Sequence, residues 1–464
     1  KRSGIVEAII PDSVVEIRSG SFGYCKKLQK VKLSNNVKKI SLSTFSNDPV
    51  LFDVTLGDSV EEIEEEAFSG CKKLQTIKLT DNVKSIGKGA FKSCNRLSYI
   101  YINKNVKSIG DGAFSFCNNM KNIVVDDNNP YFYSMDGILY DKNVTRILFI
   151  PPAISGKVVI PDGIKNIESG LFTSHKNVTN VVFPETLETI GDSAFSYCSG
   201  IKEITIPDNV NMLGKSAFES CVNLKKIKLG KRLKQIGDSA FNSCSSLTSI
   251  EFNDALNSVG SLAFGGCESL DNIYLPESVV TIGAYAFSSC TNLQHIVFGT
   301  SITQIGRDIL QNTSYARNMS NYHDGILYAG HYAISEDPNY NFDKITCIRI
   351  LDGTILIANG IDGSPSIKKI IMPDSLRYIS GTNFFKCTNL KYVRWSKNLQ
   401  KFESGAFANT NIQSLVLGDR CKFDGYGFEG YEGLKYYKVD SNDTEYILDD
   451  YLYDKIITYI GVYG

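Results

Sequence analysis

A fixed step of 23 residues governs most of this chain. The segment 97–117, LSYIYINKNVKSIGDGAFSFC, carries apolar residues in the order LxxIxI, VxxIG and AFxxC. The pattern recurs along the chain, and its closing cysteine advances by 23 residues at a time. Such cysteines are Cys71, Cys94, Cys117, Cys198, Cys221, Cys244, Cys267 and Cys290. A period of about 20 to 50 residues is typical of a repeat solenoid, in which each coil contacts only its neighbours. The repeat therefore replaces the several globular domains that 464 residues would otherwise suggest.

Each repeat predicts two extended segments and one tight turn. The LxxIxI segments, such as 28–33 and 74–79, alternate apolar and polar residues, which predicts short strands that stack into a parallel sheet. The VxxI segments, such as 83–86, predict a second extended row on the opposite side. A glycine usually follows, for example Gly110, and indicates a close backbone approach. The AFxxC segment predicts a short helical turn whose Ala, Phe and Cys point inwards.

The cysteines predict a buried ladder of reduced thiols. Ten of the twelve cysteines occupy one repeat column, in which Asp48 and His175 replace cysteine in other copies. Neighbouring column cysteines would carry parallel Cβ vectors, which is poor geometry for a disulfide. Free cysteine behaves as a small buried apolar residue. We therefore expect the column, including His175, to belong to the core, whereas Cys347 and Cys421 lie outside it.

Two excursions interrupt the period and divide the chain. The first contains Asp136-Gly137 between β-type segments, which predicts a β-hairpin-like insert. The second repeats the same DGILY sequence at 324–328. We predict a single solenoid with regular coils at 1–125 and 158–313, inserts at 126–157 and 314–345, degenerate coils at 346–440 and a C-terminal insert or cap at 441–464.

The composition and motifs point away from catalysis. The net charge of −1 and pI near 6.5 do not indicate binding to nucleic acid or to anionic membranes. The chain contains no run of 18 apolar residues, so its sequence predicts no membrane-spanning helix. His323 and His331 share an insert with Asp324 and Glu336, but without the spacing of a metal site. The segment 126–129 predicts an Asn/Asp turn in place of a calcium loop, and 61–66 predicts a solvated acidic face. We predict no enzyme activity, no catalytic residues, no metal and no cofactor.

The outward positions of the LxxIxI strands are the predicted binding surface. Aromatic and basic side chains at such positions are enriched among interface anchors. The candidate protein-binding residues are Phe52, Tyr99, Tyr101, Tyr274, His295, Tyr392 and Arg394. The competing interpretation is that these side chains only stack on neighbouring coils. The tyrosine-rich inserts form a second candidate contact surface.

The repeat LxxIxIPxxVxxIGxxAFxxC, nearly complete at 201–221, resembles the BspA-like (Treponema pallidum type) leucine-rich repeat family. The resemblance covers almost the whole chain. It implies a right-handed, curved leucine-rich-repeat solenoid with free, buried cysteines and no catalytic residues. It further implies a secreted or surface-exposed protein of a host-associated microbe, with adhesion as its role.

We therefore expect a non-enzymatic protein-binding scaffold at the cell surface or secreted, acting in adhesion or host interaction. The expected partner is a host matrix protein, another cell-surface protein or a glycan, with no nucleic acid and no direct membrane insertion. The alternative is a structural or self-assembly module of a larger surface protein. The sequence starts inside a coil and shows no signal peptide, so we expect any leader or anchor to lie outside the given residues.

Overall fold

The computed structural model describes residues 4–358, 360–403 and 405–412, and beyond them the backbone of strands Ser414–Gly418, Lys422–Phe423, Lys435–Val439 and Glu445–Ile447. It contains two compact units, which meet in sequence at Lys202 and Glu203. Within each unit, consecutive coils stack through parallel strands, and helix is scarce. The predicted repeat solenoid of stacked parallel strands is thereby confirmed, while the boundaries of its parts remain a prediction.

In the first unit, the LxxIxI segments form what we call the front sheets and the VxxI segments form the back sheets. The front strands are Glu7–Ile9, Lys30–Lys32, Asp53–Thr55, Tyr99–Ile102, Asn122–Val125, Gly156–Val159 and Val178–Val182. The back strands are Lys39–Ile40, Glu62–Ile63, Ser85–Ile86, Ser108–Ile109, Asn166–Ile167 and Thr189–Ile190. The pairs keep the repeat register, for example Val31 with Val54.

The second unit uses the same two rows. Its front strands are Glu203–Thr205, Lys226–Lys228, Ser249–Glu251, Asn272–Tyr274, His295–Val297, Cys347–Arg349, Lys369–Ile371, Tyr392–Arg394, Ser414–Gly418 and Lys435–Val439. Its back strands are Met212–Leu213, Gln235–Ile236, Ser258–Val259, Thr281–Ile282, Gln304–Ile305, Leu356–Ile357, Tyr378–Ile379, Lys401–Phe402 and Lys422–Phe423. Strand Glu445–Ile447 pairs antiparallel with Lys435–Val439, and residues 441–444 and 448–464 of the predicted cap lie outside the described residues.

A column of phenylalanine rings forms the centre of each unit. In the first unit, Phe22, Phe45, Phe68, Phe91 and Phe114 stack with ring centroids 5.3 to 5.9 Å apart and interplanar angles of 18° or less. The column rings from Phe45 on are almost fully buried. A single coil cannot cover its own rings, so burial depends on the coils above and below.

The AFxxC segment differs from the predicted helical turn. In the coil 64–71, both Glu66 and Gly70 adopt left-handed backbone angles, with φ of 54° and 77°. The amides of Glu66 and Phe68 donate to the carbonyls of Lys88 and Ala90 in the next coil, at 2.9 and 2.8 Å. A helix would use those amides internally. The segment is instead a series of tight turns that adds a further row of hydrogen bonds between coils.

Two other local predictions have different outcomes. A Cβ added at Gly87 would lie 2.6 Å from the backbone of Glu64, and one at Gly237 would lie 2.7 Å from Gly214, so the close approach predicted for this column is confirmed. The predicted strand at 74–79 does not form, although Ile77 and Leu79 are buried as expected. Side-chain alternation alone places these residues in the core, whereas a strand also requires a matching hydrogen-bond ladder.

Both predicted hairpins are present. The first insert contains the antiparallel strands Phe132–Met135, Ile138–Asp141 and Ile147–Phe149, with Asp136 and Gly137 at left-handed angles in the first turn. Its Phe149 ring packs 5.8 Å from Phe114 and so continues the apolar column. The second insert contains helix Ser314–Arg317, 3-10 helices Met319–Asn321 and Phe342–Lys344, and antiparallel strands Tyr322–His323, Ile326–Ala329 and Tyr332–Glu336.

The cysteine ladder is buried and hydrogen-bonded. Seven ladder cysteines are free thiols that donate to the carbonyl of the phenylalanine 26 residues earlier, at 2.9 to 3.2 Å; they are Cys71, Cys94, Cys117, Cys198, Cys244, Cys267 and Cys290. Burial raises the pKa of Cys117, Cys198 and Cys244 to about 12, so these thiols stay protonated at neutral pH. The prediction of reduced core residues is confirmed for them.

Two of the residues that replace cysteine in this column, His175 and Asp48, are also buried. His175 is 6% exposed, and its Nε2 lies 3.3 Å from the Ile150 carbonyl, which confirms its predicted core position. Asp48 is fully buried: one carboxyl oxygen accepts from the Cys25 amide at 2.6 Å, and the other has no hydrogen-bond partner. Burial raises the pKa of Asp48 to about 7. A thiol at this position would carry no such desolvation cost.

Candidate binding surface on the front sheets

Alternation along each front strand decides which side chains meet solvent. In strand Lys30–Lys32, Val31 is buried while both lysines are exposed, and most front strands repeat this pattern. The seven predicted interface residues all occupy outward positions and are all exposed. They do not form one continuous patch: three lie in the first unit, Tyr274 and His295 lie together in the second, and Tyr392 and Arg394 share one strand. The geometry therefore offers separate surfaces, each of which has its own surroundings.

The residues in the first unit contact neighbouring coils. The Lys30 ammonium lies 6.0 Å from the centroid of the Phe52 ring. The Tyr101 hydroxyl donates to Asp126 at 2.6 Å, and this hydrogen bond raises the pKa of Tyr101 to about 12. Tyr99 is 39% exposed and has Asn122 as its partner on the next strand. For this group, cross-coil contacts and solvent exposure coexist.

The first insert forms a cleft beside strand Asn122–Val125. The Ile123 amide donates to the Gly137 carbonyl at 3.0 Å, and the Val125 amide donates to the Ser134 hydroxyl at 2.8 Å, so the hairpin folds back over strand Asn122–Val125. The open cleft between them has a volume of about 480 Å³. Its polar lining residues are Lys121, Asn122, Asp127, Ser134 and Asp136. The amino-acid sequence does not predict this cleft, because the cleft depends on how the hairpin returns to the sheet.

The Tyr274 group is the most open. Tyr274 pairs with Val297 on the adjacent strand, and these side chains are 57% and 54% exposed. His295 occupies an outward position on the same strand as Val297. Within the described residues, Tyr274 and His295 form no ring contact, ion pair or side-chain hydrogen bond. Val297 was not among the predicted residues, yet pairing makes it part of an exposed apolar surface with Tyr274.

The third group is held by contacts one coil away. The Lys369 ammonium lies 4.9 Å from the Tyr392 ring centroid. The Arg394 guanidinium donates to the Met372 carbonyl and lies 3.1 Å from an Asp374 carboxyl oxygen. Arg394 is therefore already paired within the unit. Of the three groups, this one fits the cross-coil interpretation best.

The tyrosine-rich inserts are a poorer surface than predicted. Tyr140 and Tyr332 are fully buried and Tyr328 is 8% exposed, because their rings fill the interior between the insert and the coils. The Tyr332 hydroxyl donates to the Gly299 carbonyl at 2.5 Å. Only Tyr131 and Tyr133, at 45% and 37%, are largely exposed among the insert tyrosines that the structure describes. Most of these residues therefore anchor the inserts.

The acidic and histidine clusters form no metal centre in the described part of the chain. The His331 ring lies 2.9 Å from the Gly353 carbonyl, while Glu336 accepts from the amides of Asp362 and Gly363, so the two side chains serve different loops. His323 lies 3.6 Å from Asp324 at the surface.

The two remaining acidic segments also have structural roles. The 126–129 segment is a turn, in which the Asn129 side chain accepts from the amides of Tyr131 and Phe132. In the acidic segment 61–66, Glu61 pairs with Lys84 at 2.6 Å and Glu62 with Lys39 at 2.8 Å. The 126–129 segment is the predicted turn. The segment 61–66 differs from the predicted solvated face, because its glutamates other than Glu65 are only half-exposed and two of them are ion-paired.

Comparison with known proteins identifies the repeat. A BspA-type leucine-rich repeat region, in six copies, matches residues 1–121, 43–147, 154–234, 211–341 and 357–462. A leucine-rich repeat protein from Eubacterium ventriosum is 26% identical over 69% of this chain and 86% of its own, with a TM-score of 0.55. One from Bacteroides ovatus is 29% identical over 67% and 85%, with a TM-score of 0.52.

The search of curated proteins gave no match. No helix among the described residues is long and apolar enough to cross a bilayer. The repeat period, the stacked strands and the match over most of the length agree. The chain belongs to the BspA-type leucine-rich repeat family.

Proposed function

We propose that this protein is a non-enzymatic scaffold that binds a partner protein on the front sheet around Tyr274, His295 and Val297. The observation that carries the proposal is the exposure of Tyr274 and Val297 side by side, at 57% and 54%, on a rigid sheet. Aromatic side chains in the centre of an interface supply much of its binding energy, and a rigid strand reduces the entropy lost on binding. Leucine-rich repeat solenoids commonly serve as such scaffolds.

The biological setting belongs to the same proposal. The family resemblance supports a protein that is secreted or held at the cell surface and acts in adhesion or host interaction. The partner would then be a host matrix protein or another cell-surface protein. A second copy of this chain is the competing partner, as expected of a self-assembly module.

The test is a binding screen with a paired control. Wild-type protein is screened against immobilised matrix proteins, and hits are measured again with a Tyr274→Ala/Val297→Ala double variant. We expect at least a tenfold loss of affinity, because two adjacent anchors are removed. The control is Phe116→Ala/Tyr197→Ala, which removes side chains that are 64% and 50% exposed but lie outside the front strands. This control should bind like wild type.

Three results would contradict the proposal. No binding to any immobilised protein would remove its support, and equal losses in both double variants would place the site elsewhere. Light scattering over a range of protein concentrations tests the competing partner. An oligomer that the Tyr274→Ala/Val297→Ala variant abolishes would assign this surface to self-assembly.

A further inference from the structure

The front of the first unit carries an unusual concentration of positive charge. Five consecutive coils contribute the front segments 26–32, 49–55, 72–78, 95–101 and 118–124, each running from the residue after the ladder column to the end of the strand region. These segments contain nine basic residues and a single carboxylate, a formal charge of +8. We call the nine residues the basic strip: Lys26, Lys27, Lys30, Lys32, Lys72, Lys73, Lys78, Arg96 and Lys121. The whole-chain charge of −1 conceals this asymmetry.

The charges of the basic strip are exposed, and most of them have no carboxylate partner on the adjacent strands. All nine side chains are exposed. None forms an ion pair within the described residues. Lys30 lies over the Phe52 ring and has Glu7 and Asp53 as register partners on the two adjacent strands, and Lys32 interacts electrostatically with Asp12. On the back of the same coils, by contrast, Lys39 and Lys84 are each paired with a glutamate. Repulsion among the remaining front lysines is therefore relieved by salt or by an anionic ligand.

The strip crosses the strands and follows the stacking direction. Register pairs Lys32 with Thr55, and the ladder thiols link the following coils at the same step. Four steps of about 4.8 Å give the strip a length of roughly 19 Å. Asp126 and Asp127 follow strand Asn122–Val125 and add negative charge beyond the end of that strand. An extended anion that lies across the strands can contact several coils at once.

The composition of the strip favours an acidic polysaccharide over other polyanions. Lysine is depleted in protein–protein interfaces, which makes an acidic protein a poor fit. Nucleic-acid sites favour arginine forks and free aromatic faces for base stacking. Here eight of the nine basic residues are lysine. Lys30 lies over the Phe52 ring, and the Tyr101 hydroxyl is bonded to Asp126. Flexible ammonium groups suit sulfate and carboxylate groups spread along a sugar chain.

We propose that the basic strip binds a linear acidic polysaccharide, which lies along the stacking direction and is held by lysine ammonium groups of the segments 26–32, 72–78 and 118–124. This activity is separate from the protein site around Tyr274, so either can fail without the other.

The test uses heparin as the sulfated probe and hyaluronan as the carboxylate-only probe. Binding to full-length protein is measured by calorimetry in 50 and 150 mM salt. We expect heparin to bind, with affinity falling as salt rises because counterions are released. Hyaluronan binding as tightly as heparin would assign the site to carboxylates; heparin alone would assign it to sulfates. No heparin binding in 50 mM salt overturns the proposal.

Charge-reversal variants locate the site. Lys72→Glu/Lys73→Glu/Lys78→Glu should lower heparin affinity at least tenfold. The control is Lys225→Glu/Lys226→Glu/Lys228→Glu, three exposed lysines of a front segment in the second unit, which should change it less than twofold. Thermal melts establish that both variants are folded. Equal losses in the two variants would overturn the location, and tighter binding of a dT30 oligonucleotide or of anionic vesicles would overturn the polysaccharide assignment.

Discussion

The front surfaces of the two units show how one core can support different chemistry. The first unit carries a formal charge of +8 over five front segments, whereas the segments 222–228, 245–251, 268–274 and 291–297 of the second unit hold three basic and three acidic residues. The buried rows scarcely differ between them, since Phe91 and Phe241 occupy the same position and are fully buried. Burial constrains alternate residues of a front strand, and the others can vary with little effect on stability.

The largest expected effect that tests this comparison comes from a matched pair of core substitutions, one in each unit. Phe91→Ala and Phe241→Ala each remove a buried ring from a stack in which neighbouring centroids lie 5.3 to 5.9 Å away. Each should lower the free energy of unfolding by about 3 to 5 kcal/mol, because apolar contacts are lost on both sides. Urea denaturation followed by circular dichroism measures both. A loss confined to one unit would show that the cores are not equivalent.

A smaller effect should distinguish the two units through the pH dependence of stability. Only the first unit has a carboxylate in the ladder column among the described coils, at Asp48, whose pKa is raised from 3.8 to about 7. A raised acid pKa favours folding below about pH 4, and that contribution is lost as the pH rises through 7. Asp48→Asn should therefore stabilise the protein at pH 8, by up to roughly 4 kcal/mol at about 1.4 kcal/mol per pKa unit.

Urea titrations of wild type and Asp48→Asn at pH 4 and pH 8 measure this difference. The free energy of unfolding should change much less between pH 4 and pH 8 in the variant than in the wild type. Cys71→Ser serves as the control, because its serine cannot ionise in this range. An unchanged difference between the two pH values in Asp48→Asn would contradict the assignment to Asp48.

The smallest expected effect compares two exposed tyrosines. Tyr101→Phe removes the hydroxyl that donates to Asp126, whereas Tyr274→Phe removes one for which the described residues provide no hydrogen bond. Tyr101→Phe should lower the melting temperature slightly, since an exposed hydrogen bond contributes little. Tyr274→Phe should leave it unchanged. Differential scanning calorimetry compares them, and equal shifts would mean that Tyr101 and Asp126 do not stabilise the first unit.

Much of the fold could be predicted because burial repeats at a fixed step. The column of Phe68 and Cys71 is buried where the period places it, and Asp136-Gly137 forms the predicted hairpin turn. The left-handed angles of Glu66 and Gly70 were not predictable in this way. A, F and C at this spacing suit a helical turn equally well. Whether the segment forms a helical turn or a series of tight turns depends on the next coil. Its carbonyls accept hydrogen bonds from amides that a helix would use internally.

The candidate surface was predictable in its residues but not in its surroundings. Outward positions follow from alternation, and the exposure of Tyr274 and Tyr392 agrees with it. The 23-residue step identifies Lys369 and Val297 as their neighbours on the adjacent coils, but it does not show which contacts these side chains make. Only the paired strands show that Tyr392 lies beneath a lysine while Tyr274 has an exposed apolar neighbour.

The amino-acid sequence by itself determined which residues face inwards, since apolar side chains at a 23-residue step can be buried only by stacked coils. Tertiary structure decided the turn geometry, the burial of the Asp48 carboxyl and the grouping of lysines on one front surface. The physical reason is the distance along the chain over which each effect is determined. Hydrophobic burial depends on each residue and its position in the repeat, whereas hydrogen bonds, pKa shifts and surface charge depend on atoms contributed by adjacent coils.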